Sequence, residues 1–344
     1  MSGGAHASTA DEAVEEKMVN PPSPAIAARS FGWLMLSLLA AFLINVVLTF
    51  WADLPGVAPL VGWQGNGDGG IGLSIAQAAL YVVLAALAIF YVTRTPNRSL
   101  RADEDLVADF NAMLVRMAFW VVFFVGLADA AVSFLRVEGL LESYFGEDIA
   151  GDLGRSSYRG VYVHVPVIIL GILIGAFTRT LGFHWLALLV VVAELIIVFS
   201  RFIFSYEQAF MADLVRFWYG SLFLFASAYT LYDDGHVRVD LLYAGFRNRT
   251  KGAVNKWGAV LLGIPLCWVI LFFGMWTKSS VIVGPILVFE TTQAGFGLYV
   301  KYFMAGFLGV FAVTMHVQFI SQFFGAVADT RGEGGAHETH PEMM

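Results

Sequence analysis

Apolar residues run in eight blocks separated by short polar gaps, at 30–51, 71–93, 114–135, 160–178, 184–201, 214–231, 257–276 and 302–324. At about 1.5 Å per residue, blocks of this length cross a hydrocarbon core of about 30 Å as α-helices. The ten-residue alternation of a membrane barrel strand is absent, which excludes that class. The pattern therefore predicts an all-α polytopic integral membrane protein of eight transmembrane helices. Gap 179–182 is so short that it demands a tight antiparallel hairpin. Two other gaps have helical apolar spacing and predict amphipathic helices on the membrane surface. In the first, Val137, Leu140, Leu141, Tyr144, Phe145 and Ile149 recur, with Glu138, Glu142, Glu147 and Asp148 mostly off the stripe. In the second, Val239, Leu242, Tyr243 and Phe246 precede Arg247, Arg249 and Lys251, which would snorkel to anionic lipid. Small residues four apart, Gly171 with Gly175 and Ala305 with Gly309, mark expected close helix contacts.

Composition agrees. Of 344 residues, 58% are hydrophobic and 14% charged, against roughly 45–50% apolar in a soluble domain. Residues 1–29 hold Asp11, Glu12, Glu15 and Glu16 with Pro21, Pro22 and Pro24, unlike the basic start of a signal peptide, and read as a disordered tail; 328–344 read as a second flexible tail. Net charge is −7, which argues against nucleic acid as a partner. Cys267 is the lone cysteine, so no disulfide closes within the chain. Lys and Arg set the orientation. With the amino terminus inside, Arg29, Arg94, Arg98, Arg101, Arg179, Arg247, Arg249, Lys251 and Arg331 lie on the cytoplasmic side, while gap 52–70 has no Lys or Arg. Both termini are then cytoplasmic.

Candidate chemistry is sparse. Glu194 sits near the centre of its span, where a charged group costs on the order of 2.5–3.5 kcal/mol. It reads either as the coupling residue of a stand-alone transporter or channel, or as a carboxyl hydrogen-bonded to a neighbouring helix; Asp129, nearer a span end, is a weaker case of the same kind. His164, His184 and His316 raise a haem-binding oxidoreductase subunit, but their depths differ by several residues, and helix packing is the default. His337 and His340 in the tail are weak metal candidates. The polar stretch "DDGHVRVD" places His236, Arg238 and Asp240 at a helix mouth, as caps and ion-pair partners. Arg201, Asp213, Arg216, Glu290 and Lys301, near the outer ends of the last four spans, are candidates for an ion-pair network that sets register against a partner subunit.

The stretches "FSRFIFSYEQAFMADLVRFW", "ASAYTLYDDGHVRVDLLY" and "FETTQAGFGLYVKYFMAGFLGVF" resemble the small permease subunit of tripartite ATP-independent periplasmic (TRAP) transporters over residues 181–327. Arg201 with Phe202, Asp213 with Arg216, His236-x-Arg238-Val239-Asp240, Glu290, Lys301 and Gly306 carry the likeness, while Ser221 and Ala226 depart from it. The resemblance implies a four-helix subunit that supports a large permease during sodium-driven uptake of an organic acid captured by a periplasmic binding protein, in the bacterial inner membrane. It implies no catalytic, substrate or metal site and no cofactor in this chain. Residues 30–178 lie outside the likeness and read as four additional helices.

Overall fold

The computed structural model describes residues 24–179, 183–232, 243, 245–291 and 297–335. Among these, eight helices are long and apolar enough to cross a membrane, and there is no strand. Helices α1 (Ile26–Phe50) and α2 (Ile71–Arg94) follow the predicted blocks closely. Helix α3 (Leu100–Val137) does not: it has 38 residues, about 57 Å at 1.5 Å per residue, and begins fourteen residues before its apolar block. The Ser99 hydroxyl accepts the Ala102 N–H at 3.2 Å and caps its start. The added turns bury Leu100, Asp103, Val107, Ala108 and Asn111. Tertiary contacts, not hydropathy, extend the helix.

The predicted amphipathic helix over Val137 to Ile149 is corrected. Gly139 (φ 67°) and Gly146 (φ 83°) take left-handed backbone that only glycine adopts freely, and they break the stretch into α4 (Leu140–Phe145) and α5 (Glu147–Leu153). Leu141 and Leu153 are buried, whereas Tyr144, Phe145 and Ile149 are exposed. The counterpart at Val239 to Phe246 lies mostly outside the described residues.

Helix α6 (Ser156–Phe177) carries a π turn at Gly160–His164 just before Pro166, and α9 (Asn248–Met275) carries one at Ala259–Gly263 just before Pro265. Proline has no N–H for the carbonyl four residues back, and the widened turn lets each helix continue through it. Both prolines are therefore interior to longer helices rather than near the ends of spans. Between these lie α7 (Phe183–Phe204) and α8 (Ala209–Tyr232); after them come α10 (Val283–Leu287) and α11 (Lys301–Arg331).

Three helices, α3, α8 and α11, pack on one another at the centre. Around them, α6 lies on α3, α7 on α8, α9 and α1 on α11, and α2 on α1. One core, with Phe119, Val122, Phe217, Phe225 and Phe307, joins α3, α8 and the first half of α11. A second, with Phe42, Leu100, Leu271, Ile320 and Phe324, joins α1, the start of α3, α9 and the rest of α11. Both cores draw on the chain before and after residue 180, so the first four spans are built into the same bundle as the last four.

Candidate functional site

The fully buried ion pairs of the bundle lie at its two ends. The end holding Ile26 and Arg331 is here the proximal end and the opposite one the distal end. At the distal end, Asp129 of α3 is fully buried and all of its oxygens are engaged. Its Oδ1 accepts the Arg159 Nη1–H at 2.9 Å and lies 3.0 Å from His164 Nε2; its Oδ2 accepts the Tyr299 backbone N–H at 2.7 Å. The other ring nitrogen, Nδ1, lies 2.7 Å from the Tyr302 hydroxyl. Arg159 also donates to Ser133 Oγ at 3.0 Å and to the Leu153 carbonyl at 2.8 and 3.0 Å. Its guanidinium lies 4.1 Å from the centre of the Tyr299 ring, with Arg136 at 4.7 Å, and the Tyr299 hydroxyl donates to the Gly154 carbonyl at 3.0 Å. The π turn of α6 carries His164 into this node, and the node ties together α3, α6 and the start of α11.

A buried charge is tolerated only when paired and hydrogen-bonded, and removing one partner strands the other. Each group here has its partners within the chain. The node thus acts as a brace that fixes the register of three helices, and both of His164's nitrogens are committed to it. His316 is buried edge-on against Trp268 in the second core.

At the proximal end Asp103 plays the same part. It accepts from Arg29 Nε at 2.6 Å, Arg98 Nε at 2.7 Å and Trp33 Nε1 at 3.1 Å, and Arg29 also reaches the Thr95 carbonyl and hydroxyl. Arg101 pairs with Glu104 and Asp329, which adds α11 to the same end. Midway between the ends, the Asn111 amide of α3 donates to Gln318 Oε1 of α11 at 3.0 Å. The long pair α3 and α11 is held at both ends and in the middle.

The candidates read from the sequence fall elsewhere. Arg201 pairs with Glu207 at 3.4 Å, Arg216 with Asp213 at 3.4 Å, and Lys301 with Glu290. Asp213 Oδ2 also accepts the Leu298 N–H at 3.1 Å. Among the described residues the expected network is thus replaced by separate pairs, mostly exposed, with the Asp213 to Leu298 bond joining the start of α8 to the segment before α11. Glu194 is exposed on α7, and no hydrogen bond or ion pair engages it among the described residues. Among the described residues the expected bond to a neighbouring helix of this chain is not made. His236, Arg238 and Asp240 lie outside the described residues, as do His337 and His340.

Gly171 and Gly175 sit where expected. A Cβ on Gly171 would stand 2.7 Å from Val121 Cα, and one on Gly175 2.5 Å from Met117 Cα, so α6 meets α3 backbone to backbone. Gly306 and Gly309 are corrected: the nearest atoms to their added Cβ are the Ile286 side-chain tip at 3.7 Å and the Met275 methyl at 2.8 Å, not a helix backbone. The close approach of α9 to α11 is made instead at Gly252, against the Ala326 carbonyl at 2.7 Å, a contact the spacing did not mark. Asp129 and His164 stood out in the sequence only singly, and Arg159 and Tyr302 not at all.

An all-helical polytopic membrane protein, braced by buried ion pairs at both ends and with no cluster of metal-ligating side chains among the described residues, is the class these features define. Residues 186–329 match the family model described as tripartite ATP-independent periplasmic transporters, DctQ component. The likeness covers the last four spans, and the family it points to is one of transporter components. Four further membrane helices precede those spans. No curated protein and no solved structure matches the chain.

Proposed function

We propose that this chain is the supporting membrane subunit of a TRAP transporter, holding the large permease in place during sodium-driven uptake of an organic acid, such as a carboxylate, delivered by a periplasmic binding protein. The observation that carries this is the DctQ match over residues 186–329. The geometry supports it: the buried ion pairs, Asp129 with Arg159 and Asp103 with Arg29, close within the chain as braces, as a scaffold requires. The first four spans, through α3, thicken that scaffold.

In this reading the protein lies in the bacterial inner membrane with its proximal end in the cytoplasm. Arg29, Arg94, Arg98, Arg101, Arg247, Arg249 and Arg331 then follow the positive-inside bias. The exposed acids Glu142, Glu147 and Asp148 face the periplasm and offer negative charge to a basic partner surface, where complementarity mainly raises the association rate. Vesicles test the assignment. The purified chain alone is expected to take up no organic acid under a sodium gradient, and uptake is expected once the large permease and binding protein are added. Uptake by the chain alone overturns the reading.

A further inference from the structure

Helix α7 is the least covered of the eight spans. In its apolar window 6% of the residues are buried, against 44% in those of α8 and α11. Ala193, Leu189, Val190 and Ile197 rest on the first core, and α8 is the helix it packs on. The remaining circumference is exposed and apolar, with Val191, Leu195, Val198 and Phe202 among it. Glu194 stands on that exposed side, eleven residues from Phe183 and ten from Phe204, and so at mid-membrane depth.

A carboxyl at this depth facing lipid costs on the order of 2.5–3.5 kcal/mol when charged, and a polar group facing hydrocarbon without a hydrogen bond is costly in either state. Among the described residues this chain supplies no partner. Val191 and Val198, one turn to either side on the same exposed flank, present stiff branched surfaces suited to a packed helix. The segment lies inside the match to one component of tripartite transporters, and in the subunit role proposed above a large membrane permease is available to cover it.

We propose that the Glu194 face of α7 is the docking surface for a transmembrane helix of the large permease, and that this helix presents a hydrogen-bonding side chain, such as Ser, Thr, Asn, Gln or His, to the Glu194 carboxyl at the bilayer centre. The inference rests on the subunit role proposed above. A second copy of this chain is the poorer occupant, because Glu194 would meet its own counterpart only if both carboxyls lay on a two-fold axis and both were protonated. The bond requires a hydrogen-bonding group and not a titrating proton, so an amide preserves it.

The test uses the full chain co-expressed with the large permease. A photoreactive residue at Val191 or Val198 is expected to cross-link to the large permease, and one at Ile169, on the outer side of α6, is expected not to. E194L is expected to lower the co-purified permease by about threefold, the worth of one interhelical hydrogen bond, and E194Q to retain it. Thermal unfolding of the isolated chain is expected to be the same for E194L and the parent, which separates docking from folding. Cross-links from Val191 and Val198 only to lipid or to a second copy overturn the inference, as do an E194Q loss equal to that of E194L and an E194L complex at full yield. If the chain co-purifies with no large permease at all, the subunit role falls as well; if it co-purifies through another face, only this inference falls.

Discussion

Asp129 and Glu194 are both carboxyl groups on membrane-spanning helices, and the bundle treats them in opposite ways. Asp129 lies at the junction of α3, α6 and α11 with Arg159, His164 and the Tyr299 N–H all bonded to it, and it is sealed from the surface. Glu194 lies at the middle of α7, exposed and with no partner among the described residues. An intramembrane carboxyl is not by itself a mark of transport chemistry. Closed within the chain it is a brace, and left open on an outer face it points to what the chain is built to meet.

The comparison is broken most directly at its closed side. Arg159→Leu strands the Asp129 carboxylate, and loss of one member of a buried pair costs about 3–5 kcal/mol. The expected result is a large fall in the unfolding temperature of the isolated chain, largely recovered in the Arg159→Leu, Asp129→Leu double variant. Glu194→Leu should stay within about 0.5 kcal/mol of the parent in the same assay, as surface changes do. Equal losses from Arg159→Leu and Glu194→Leu would erase the distinction.

A smaller effect is expected where α6 meets α3. Gly175→Val forces a side chain to within 2.5 Å of Met117 Cα, and overpacking of this kind costs about 1–3 kcal/mol. Gly306→Ala, whose added methyl group meets its nearest neighbour at 3.7 Å, serves as the near-neutral control. Unfolding temperatures of the two variants, measured side by side in detergent, check this.

The smallest effect sharpens the contrast at the end of α7. There the Tyr206 hydroxyl donates to Glu138 Oε1, just beyond α3, at 2.5 Å. Burial, and then the Glu138 carboxylate, push this hydroxyl up from its ordinary 10.0 to about 12. A folded-state pKa above the unfolded one means that the contact contributes fully below pH 10 and is lost as pH rises through about 12. Alkaline titrations of phenolate absorbance in the parent and in Glu138→Gln should differ by one tyrosine, which titrates late in the parent and moves back toward the ordinary value in the variant.

Much of the fold was legible in the order of residues. A bilayer of known thickness converts each long apolar block into a helix, so eight blocks gave eight spans, and the motifs around Arg201, Asp213, Glu290 and Lys301 pointed to the family that residues 186–329 match. The helix ends were less legible. The first turns of α3 are polar, and they are helical because they pack against α1 and α11. Of the small-residue pairs, one was a backbone contact and one was not, since spacing marks where a helix allows close approach but not which neighbour arrives.

The chain order by itself determined how many helices cross the membrane, roughly where they begin, and the family of the last four. Only the tertiary structure decided which way each helix faces: that Arg159 turns toward Asp129 thirty residues earlier, that Tyr302 reaches His164 from 138 residues away, and that Glu194 turns outward. The physical reason lies in the solvent. In water a helix advertises its buried side by the contrast between apolar and polar residues. In lipid both the buried and the exposed sides are apolar, so that contrast disappears, and the orientation of a polar residue is settled only when packing and hydrogen bonds bring the helices together.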